Sequence, residues 1–540
     1  IELATALAGF GRHWADAGSG RSGTLEAEKS YDLSKPTEEL DHFLSHDWQT
    51  SRWTKYITLI LLFNTKPAML ACFCASAVMT AREMYRLASL VVGDERVVEP
   101  WTASVPLAVW YIFLFYGHVI RSWFCKPVLV FLDKLCIAQH DLELKEKGIK
   151  GLAGFIVRSK TLTVLWSSRY LTRLWCTYEI AAFLRDDLEN NRGLQIMPVR
   201  VGILLILQMI VSQFAVGAYH FFLYLGVYTG DITHLRAVQV GAYSVGLPLA
   251  ALTIAQVYVG IDLVEEVVEL PRQLSNFSIR QSECFCCSND HCHPDTGEVL
   301  PCDRRLVYGT LRKWYCSDGE VNREASSSRG LGSRRTVSRE TAASRGTRSE
   351  DKASRTSSKP SRGDDPHLDA FDKLVQTRLR ERVQTLLGSD FMLPFDLLVC
   401  MVASPSVCLL PWYSPTLVFE WDVYDFDYVD EQLRMLIREF VTIAKHSVVL
   451  LFAAWCVLVL AKAGVLLKRR GFSRLLLAMV SAPIAVLMVV LMSSLVDVCF
   501  YFSEKDELLP LPAFCAEACI VGYLFAGPRW LKRLEKSLQD

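Results

Sequence analysis

The sequence lacks a net charge: its 58 Lys and Arg balance its 58 Asp and Glu. Nothing in that balance draws it to nucleic acid. It also lacks a basic segment leading into a short apolar core at its start, and its first residue is Ile1 rather than Met. The expectation is a processed or missing start and no cleaved signal peptide in the sequence as given. A secreted disulfide framework is missing too. There are 17 cysteines, but Cys72, Cys74, Cys400, Cys456 and Cys499 sit inside apolar runs, which predicts a mostly reduced, intracellular set. Charge is scarce, with 21% charged residues against 51% hydrophobic ones in 540, and the mean hydropathy is +0.22. A soluble chain of this length is usually less apolar, so a membrane protein with a soluble part is the expected class.

The apolar residues are gathered into runs at 68–92, 103–120, 201–225, 237–259, 391–412, 448–467, 475–500 and 509–525. A bilayer needs about 20 apolar residues per spanning helix, so about eight spans are predicted. The first run carries Arg82, Glu83 and Arg86, which are costly near a span centre, and Pro67 before it predicts a break. Lys468, Arg469, Arg470 and Arg474 join two late runs, and Arg529, Lys532, Arg533 and Lys536 follow the last. Residues 94–99, 420–431 and 504–507 are acidic. Cytoplasmic loops are enriched in Lys and Arg, so both ends and the soluble domain are expected on the cytoplasmic side.

Residues 128–183 organise the remainder. VLVFL at 128–132 and LTVLW at 162–166 are short apolar runs of the kind buried on both faces of a parallel sheet. A Lys-, Glu- and Leu-rich helical segment lies between them, and a second helix follows Ser167 and Ser168. This is a β-α-β-α unit of an open α/β domain.

FLSHDW at 43–48, FLDK at 131–134, DLELKEKGI at 141–149, Ser159 before TLTVLWS, and YLTRLWCTYE at 170–179 follow one another. In that order they resemble the motif boxes of Toll/interleukin-1-receptor (TIR) domains, most closely the plant and bacterial type. The Trp-Cys-x-x-Glu of the last box is the most specific element. One departure is large: residues 49–130, much of them apolar, stand where an ordinary TIR domain has one helix and a short loop. The expected architecture is therefore a TIR-like, flavodoxin-like α/β domain at 41–200, interrupted by a membrane hairpin at 68–120. The two strands flanking the hairpin must meet in one sheet, so the chain has to return to the side it left. A loose lead-in at 1–40 would precede the domain. Behind it would come a membrane hairpin at 201–260, a Cys/His-rich segment at 261–321 and a disordered Ser/Arg linker at 322–366. An amphipathic helix at 367–390, a membrane domain at 391–526 and a tail at 527–540 would complete the chain.

The resemblance implies chemistry as well. TIR domains of this type can cleave NAD+ at the nicotinamide-ribose bond, and Glu179 stands at their catalytic position. A carboxylate there would stabilise the positive charge that develops at the anomeric carbon. By the same resemblance Phe43, Ser45, Asp133, Trp175 and the segment from Asp141 to Gly148 would line the nucleotide cleft, with Gly148 giving the loop its turn. The plainer reading of these residues is an inert domain that docks on like domains. Glu179 would then be a solvated or ion-paired group, with Arg173 or Arg185 as partner, and Trp175 and Cys176 would be packing residues.

A second cluster comprises Cys284, Cys286, Cys287, His291, Cys292, His293, Cys302 and Cys316. In a reducing compartment it favours structural zinc, with ligands drawn from Cys284, Cys287, Cys292 or His293, and Cys302. Lipid-modified or ordinary buried thiols are the alternatives. Asp396, Asp497, His220 and His446 lie in or beside spans, where ionisable groups suggest an ion path or, more plainly, solvated span ends. The function expected is signalling or sensing at a membrane, by NAD+ cleavage or by TIR-TIR association. A channel or transporter with a regulatory domain, or an inert subunit of a membrane assembly, are the alternatives.

Overall fold

The computed structural model describes residues 1–14, 24–89, 99–138, 140–190, 192–229, 234–292, 297, 299–315, 365–387, 394–412, 429–502 and 510–526. The Ser/Arg linker, most of the acidic loops, the tail at 527–540, His293, Cys316 and the Asp497 side chain lie outside the described residues.

Four strands, β1 (Leu40–His46), β2 (Val130–Phe131), β3 (Ser159–Trp166) and β4 (Gly193–Pro198), form one sheet in the order β2-β1-β3-β4. Every pairing is parallel. Phe43, Leu44, Leu162, Val164 and Leu165 are all buried, as the unbroken apolar runs require when both faces are covered. His42 pairs with Val130 and Phe43 with Phe131, and the two Phe rings stack with centroids 4.6 Å apart. The chain thus leaves β1, runs through two long helices, and returns to complete the same sheet. The strand order reverses at β1, with β2 on one side and β3 on the other, and in an open parallel sheet such a reversal places a crevice at the carboxyl ends of β1 and β3.

The detour begins with one helix, Arg52–Ala88, that runs through Pro67 without the expected break. Proline removes one backbone bond, while Leu59, Ile60 and Leu61 before it and Ala68 and Cys72 after it are fully buried. That packing outweighs the lost bond. Lys66 pairs with Asp396 at 2.7 Å, both side chains exposed, at the level where helix Phe395–Cys408 starts. From Lys66 to the helix end is about 33 Å, close to the hydrocarbon thickness of a bilayer. Arg82, Glu83 and Arg86 therefore sit at the far end of this helix, not at the centre of a span. There Arg86 pairs with Glu83 at 2.8 Å and Arg82 with Glu99 at 3.4 Å.

Among the described residues seven helices are long and apolar enough to cross a membrane: Arg52–Arg86, Trp101–Phe124, Val199–Ala218, Leu247–Ser275, Phe395–Trp412, Ile443–Arg469 and Arg474–Met492. This is the pattern of a multipass membrane protein. The eighth expected span is the 16-residue helix Pro510–Phe525, about 24 Å long and short for the task. Helices cross closely where side chains are small: a Cβ on Gly464 would stand 2.8 Å from Ile261, and one on Gly260 3.1 Å from Ala461. Helix Val199–Thr229 starts directly at the end of β4. Arg200 pairs with Asp262 and Glu266, each at 2.6 Å. Lys468 reaches Glu265 at 2.6 Å and Arg474 pairs with Asp262, so the basic loop 468–474 lies at the sheet end of the bundle.

Two more segments complete the soluble part. Residues 1–14 are not a loose lead-in: Ile1 O accepts from Val130 N at 2.8 Å, Leu3 N donates to Val128 O at 2.8 Å, and Leu3, Leu7 and Trp14 are buried. They cover the β2 edge, which would otherwise be an open strand. Residues 366–387 form the expected amphipathic helix, with a π-helical turn at Val375–Leu379. Its buried stripe is Leu368, Phe371, Val375, Leu379 and Val383, and Phe371 packs on Phe277 and Tyr315.

Candidate functional site

Glu179 lies on the second turn of helix Leu174–Asn190, one turn after Trp175, so the two share a face. Ser45 is the penultimate residue of β1. Their side chains meet where β1 ends: the Ser45 hydroxyl donates to Glu179 Oε2 and pairs with the Tyr170 hydroxyl. Glu179 is only 8% exposed. Burial pushes its pKa up to about 8, with the Asp133 charge adding to the rise and the Ser45 bond opposing it. Burial likewise raises Asp133 to about 6, against the bonds it accepts from Lys134 N and the Trp48 side chain. Two carboxyls of unequal acidity thus border one space, the arrangement that separates acid from base roles.

That space is a cavity of about 280 Å³ lined by His46, Trp48, Asp133, Ile137, Ile149, Leu152, Arg173, Leu174, Trp175, Cys176, Glu179, Glu283, Cys284, Phe285 and Asp303. Its volume is at the lower edge for small-molecule sites. A wider groove of about 1100 Å³ runs past Tyr31, Lys35, Leu40 and Arg158 at the opposite strand ends. The smaller cavity is the better candidate because buried carboxyls converge in it at the topological switch point. Burial lowers the pKa of His46, with the Lys55 charge adding to the fall, so its imidazole stays neutral. Burial, with the charges of Glu179 and Asp47, raises that of Cys176. This thiol donates to His46 O at 3.4 Å and has no thiolate character.

The cation of the site is Arg173, which lies 3.8 Å from Asp47 Oδ1 and 3.6 Å from Glu283 Oε2. It does not pair with Glu179, and neither does Arg185, whose guanidinium lies 5.3 Å above the Trp314 ring. Asp133, Trp175 and Glu179 line one cavity, and Ser45 joins them through its bond to Glu179. Phe43 is not at the cavity; it stacks on Phe131 in the core. Asp141 caps helix Leu142–Lys150, accepting from Glu143 N at 2.8 Å and Leu144 N at 3.0 Å. Gly148 makes no turn. It sits inside that helix, where a Cβ would stand 3.0 Å from Ile137, so its bareness lets the helix lie against a lining residue.

The roof comes from the Cys/His segment. Glu283 forms a parallel bridge with Arg173: Leu174 N donates to Glu283 O at 3.1 Å and Glu283 N to Thr172 O at 2.6 Å. Trp175 Nε1 donates to Asp303 Oδ2 at 3.3 Å. Sequence reasoning placed this segment in a body of its own, and so missed Glu283, Phe285 and Asp303 as lining residues. The acidic residues flanking the cysteines were the available signal.

Within this segment the donor atoms of Cys286, Cys287, His291 and Cys302 all lie within 4.8 Å of one another, and a second group joins Cys284, Cys286 and Asp303. Such a cluster could hold a metal ion. The expected set changes accordingly: Cys286 and His291 enter, Cys284 shifts to the second group, and Cys292 is exposed. The reason is local geometry. Asp290 and His291 adopt φ of 50° and 59°, a left-handed turn unusual for side-chain-bearing residues that folds His291 back under the two adjacent cysteines.

No family model, curated protein or solved structure matches this chain.

Proposed function

We propose that this chain is a multipass membrane protein whose sheet domain is TIR-like, lies on the cytoplasmic side with both termini, and cleaves NAD+ between nicotinamide and ribose at Glu179. A structural metal in its Cys/His segment belongs to the same reading. The observation that carries it is the buried Glu179 carboxyl, oriented by Ser45 at the carboxyl end of β1 and shared with Asp133 across one small cavity. A carboxyl with a pKa of about 8 is largely neutral near pH 7. A cationic nicotinamide-ribosyl group beside it favours the ionised form. The carboxylate then opposes the positive charge that grows at the anomeric carbon as neutral nicotinamide leaves with the bonding pair. Water adds at that carbon and gives up its proton, leaving ADP-ribose. Ser45, itself held by Tyr170, keeps the carboxyl aimed, while Trp175 and Phe285 supply apolar walls that exclude bulk water.

The test is release of nicotinamide from NAD+ by the full-length protein in detergent or nanodiscs, compared with Glu179→Gln. Loss of release in the variant, with the fold intact by circular dichroism, supports the assignment. Equal release by both, or none by either, overturns it. Self-association with like domains is the other role the resemblance implies, and it predicts that oligomer mass is unchanged in the same variant.

A transport role has its own observation. Within the helix bundle a buried polar contact joins Gln256 and Gln208 at 2.8 Å and a half-buried one joins Gln213 and Ser404 at 2.9 Å. The rings of His220 and His446 lie 5.1 Å apart. Polar pairs inside spanning helices serve either helix association or a solute path. Asp396 takes no part in them, being paired with Lys66 on an exposed face. Ion flux in proteoliposomes that changes in Gln208→Leu favours the path.

A further inference from the structure

We infer that Cys286, Cys287, His291 and Cys302 form a zinc centre, and that the bound ion latches the roof of the Glu179 cavity. This deepens the structural-metal reading above, and its metal arm stands whether or not the cavity cleaves NAD+. The donor set is three thiolates and one imidazole, the soft N/S set that selects zinc in a closed tetrahedral site. In such a site a Zn–S distance of about 2.3 Å puts sulfurs about 3.8 Å apart. Cys286 and Cys287 Sγ are 4.0 Å apart, and Cys287 and Cys302 Sγ 3.9 Å. Cys284 lies closer still to Cys286, at 3.1 Å, outside that spacing and on the cavity side, where it lines the wall.

The surrounding backbone is built for the same purpose. His291 N donates to Cys286 O at 2.7 Å and Leu300 N to His291 O at 2.7 Å, closing the left-handed turn on both sides. Asp303 N donates to Cys286 Sγ at 3.3 Å, the outer-shell bond that orients a thiolate ligand. Cys302 stands at the start of helix Asp303–Trp314, so a ligand there ties the helix to the CysCys turn.

Position then gives the ion its role. Residues 283–288 carry only one short helical turn, Phe285–Ser288, yet they present Glu283, Cys284 and Phe285 to the cavity. Asp303, next to the ligand Cys302, holds Trp175 from the other side. The ion thus clamps both roof-bearing strings, 283–287 and 302–303, to each other. Their contacts to Thr172, Leu174 and Trp175 then close the cavity.

The experiment uses the full-length chain purified without chelators, with metal counted by mass spectrometry. About one zinc per chain is expected in the parent protein and in Cys292→Ala, with near-complete loss in Cys302→Ala and His291→Ala. Because ligand loss can unfold the segment, the parent protein is also stripped and reloaded with Co²⁺. Thiolate-to-cobalt absorption and tetrahedral d–d bands are expected. Amide exchange at Leu174 and Glu283, whose N–H groups bond across the roof, should rise by tenfold or more on stripping and fall again on reloading with Zn²⁺. Absence of zinc or of the cobalt bands, or metal loss in Cys292→Ala equal to that in Cys302→Ala, overturns the centre. Metal loss that leaves Leu174 exchange unchanged overturns the latch.

Discussion

The floor and the roof of the cavity are built by opposite means. The floor carries Ser45 on a central strand and Glu179 on a helix whose Ile180, Ala181, Phe183 and Leu184 are buried. Its geometry is fixed by a core that would exist with no ligand at all. Among the described residues between Glu283 and Asp303 the roof consists of short turns, with two side-chain-bearing residues at positive φ and strand pairing confined to isolated bridges. Core packing positions a reacting group to within the tolerance chemistry needs, whereas turns of this kind reach the same precision when an ion joins them. The comparison teaches that damage to the floor should alter chemistry without altering structure, and damage to the roof the reverse.

The largest effect expected on the floor is from Glu179→Gln, which keeps shape and the Ser45 contact but cannot carry the opposing charge. Nicotinamide release should fall by about 10²–10³-fold, with amide exchange at 172–175 unmoved. A parallel change in exchange would erase the distinction between the two regions. Next in size is pH. The ionised form is needed and the pKa of Glu179 is about 8, so kcat/KM should rise close to tenfold per pH unit below about 8 and level off above it. Asp133→Asn removes the charge that helps raise Glu179, and the same profile should move to lower pH.

Smaller effects sharpen the boundary where floor and roof touch. Trp175→Phe deletes the bond to Asp303, worth about 1 kcal/mol, so KM should rise about fivefold while kcat is nearly kept. A larger fall in kcat than rise in KM would make Trp175 part of the chemistry rather than of the latch. A separate effect of the same carboxyl is read in stability rather than in rate. The folded pKa of Glu179 lies above its ordinary 4.5, so the stability this group contributes is full below about pH 4.5 and is lost as pH rises through about 8. Glu179→Gln should therefore gain more in Tm over the parent protein at pH 9 than at pH 5, measured by scanning fluorimetry.

How far these regions could be read in advance follows from the same contrast. The sheet was legible because its strands are unbroken apolar runs, and the return of the chain to Phe131 followed from the need to pair it with Phe43. Ser45, Asp133, Trp175 and Glu179 could be gathered because they occupy the ends of regular elements, whose periods fix where side chains go. Phe43 shares its strand face with Ser45 but stands two residues further from the strand end, where its ring stacks on Phe131 in the core. The resemblance makes Gly148 a turn, but it sits in a helix whose sequence, KEKGIK, carries no signal of the Ile137 contact behind it. The helix through Pro67 was missed because burial on both sides of the proline is a tertiary fact. In the roof, spacing alone could not choose among eight Cys and His residues. The choice is made by backbone angles at Asp290 and His291, which no composition reveals.

Whether Glu179 is a reactive carboxylate in a nucleotide cleft is decided by the pH profile of nicotinamide release from NAD+ by the full-length protein and its Glu179→Gln variant. Release by the parent protein should climb toward about pH 8, and the variant should stay flat and near background at every pH. A parent protein that releases no nicotinamide across that range, or a variant with the same rising profile, contradicts it.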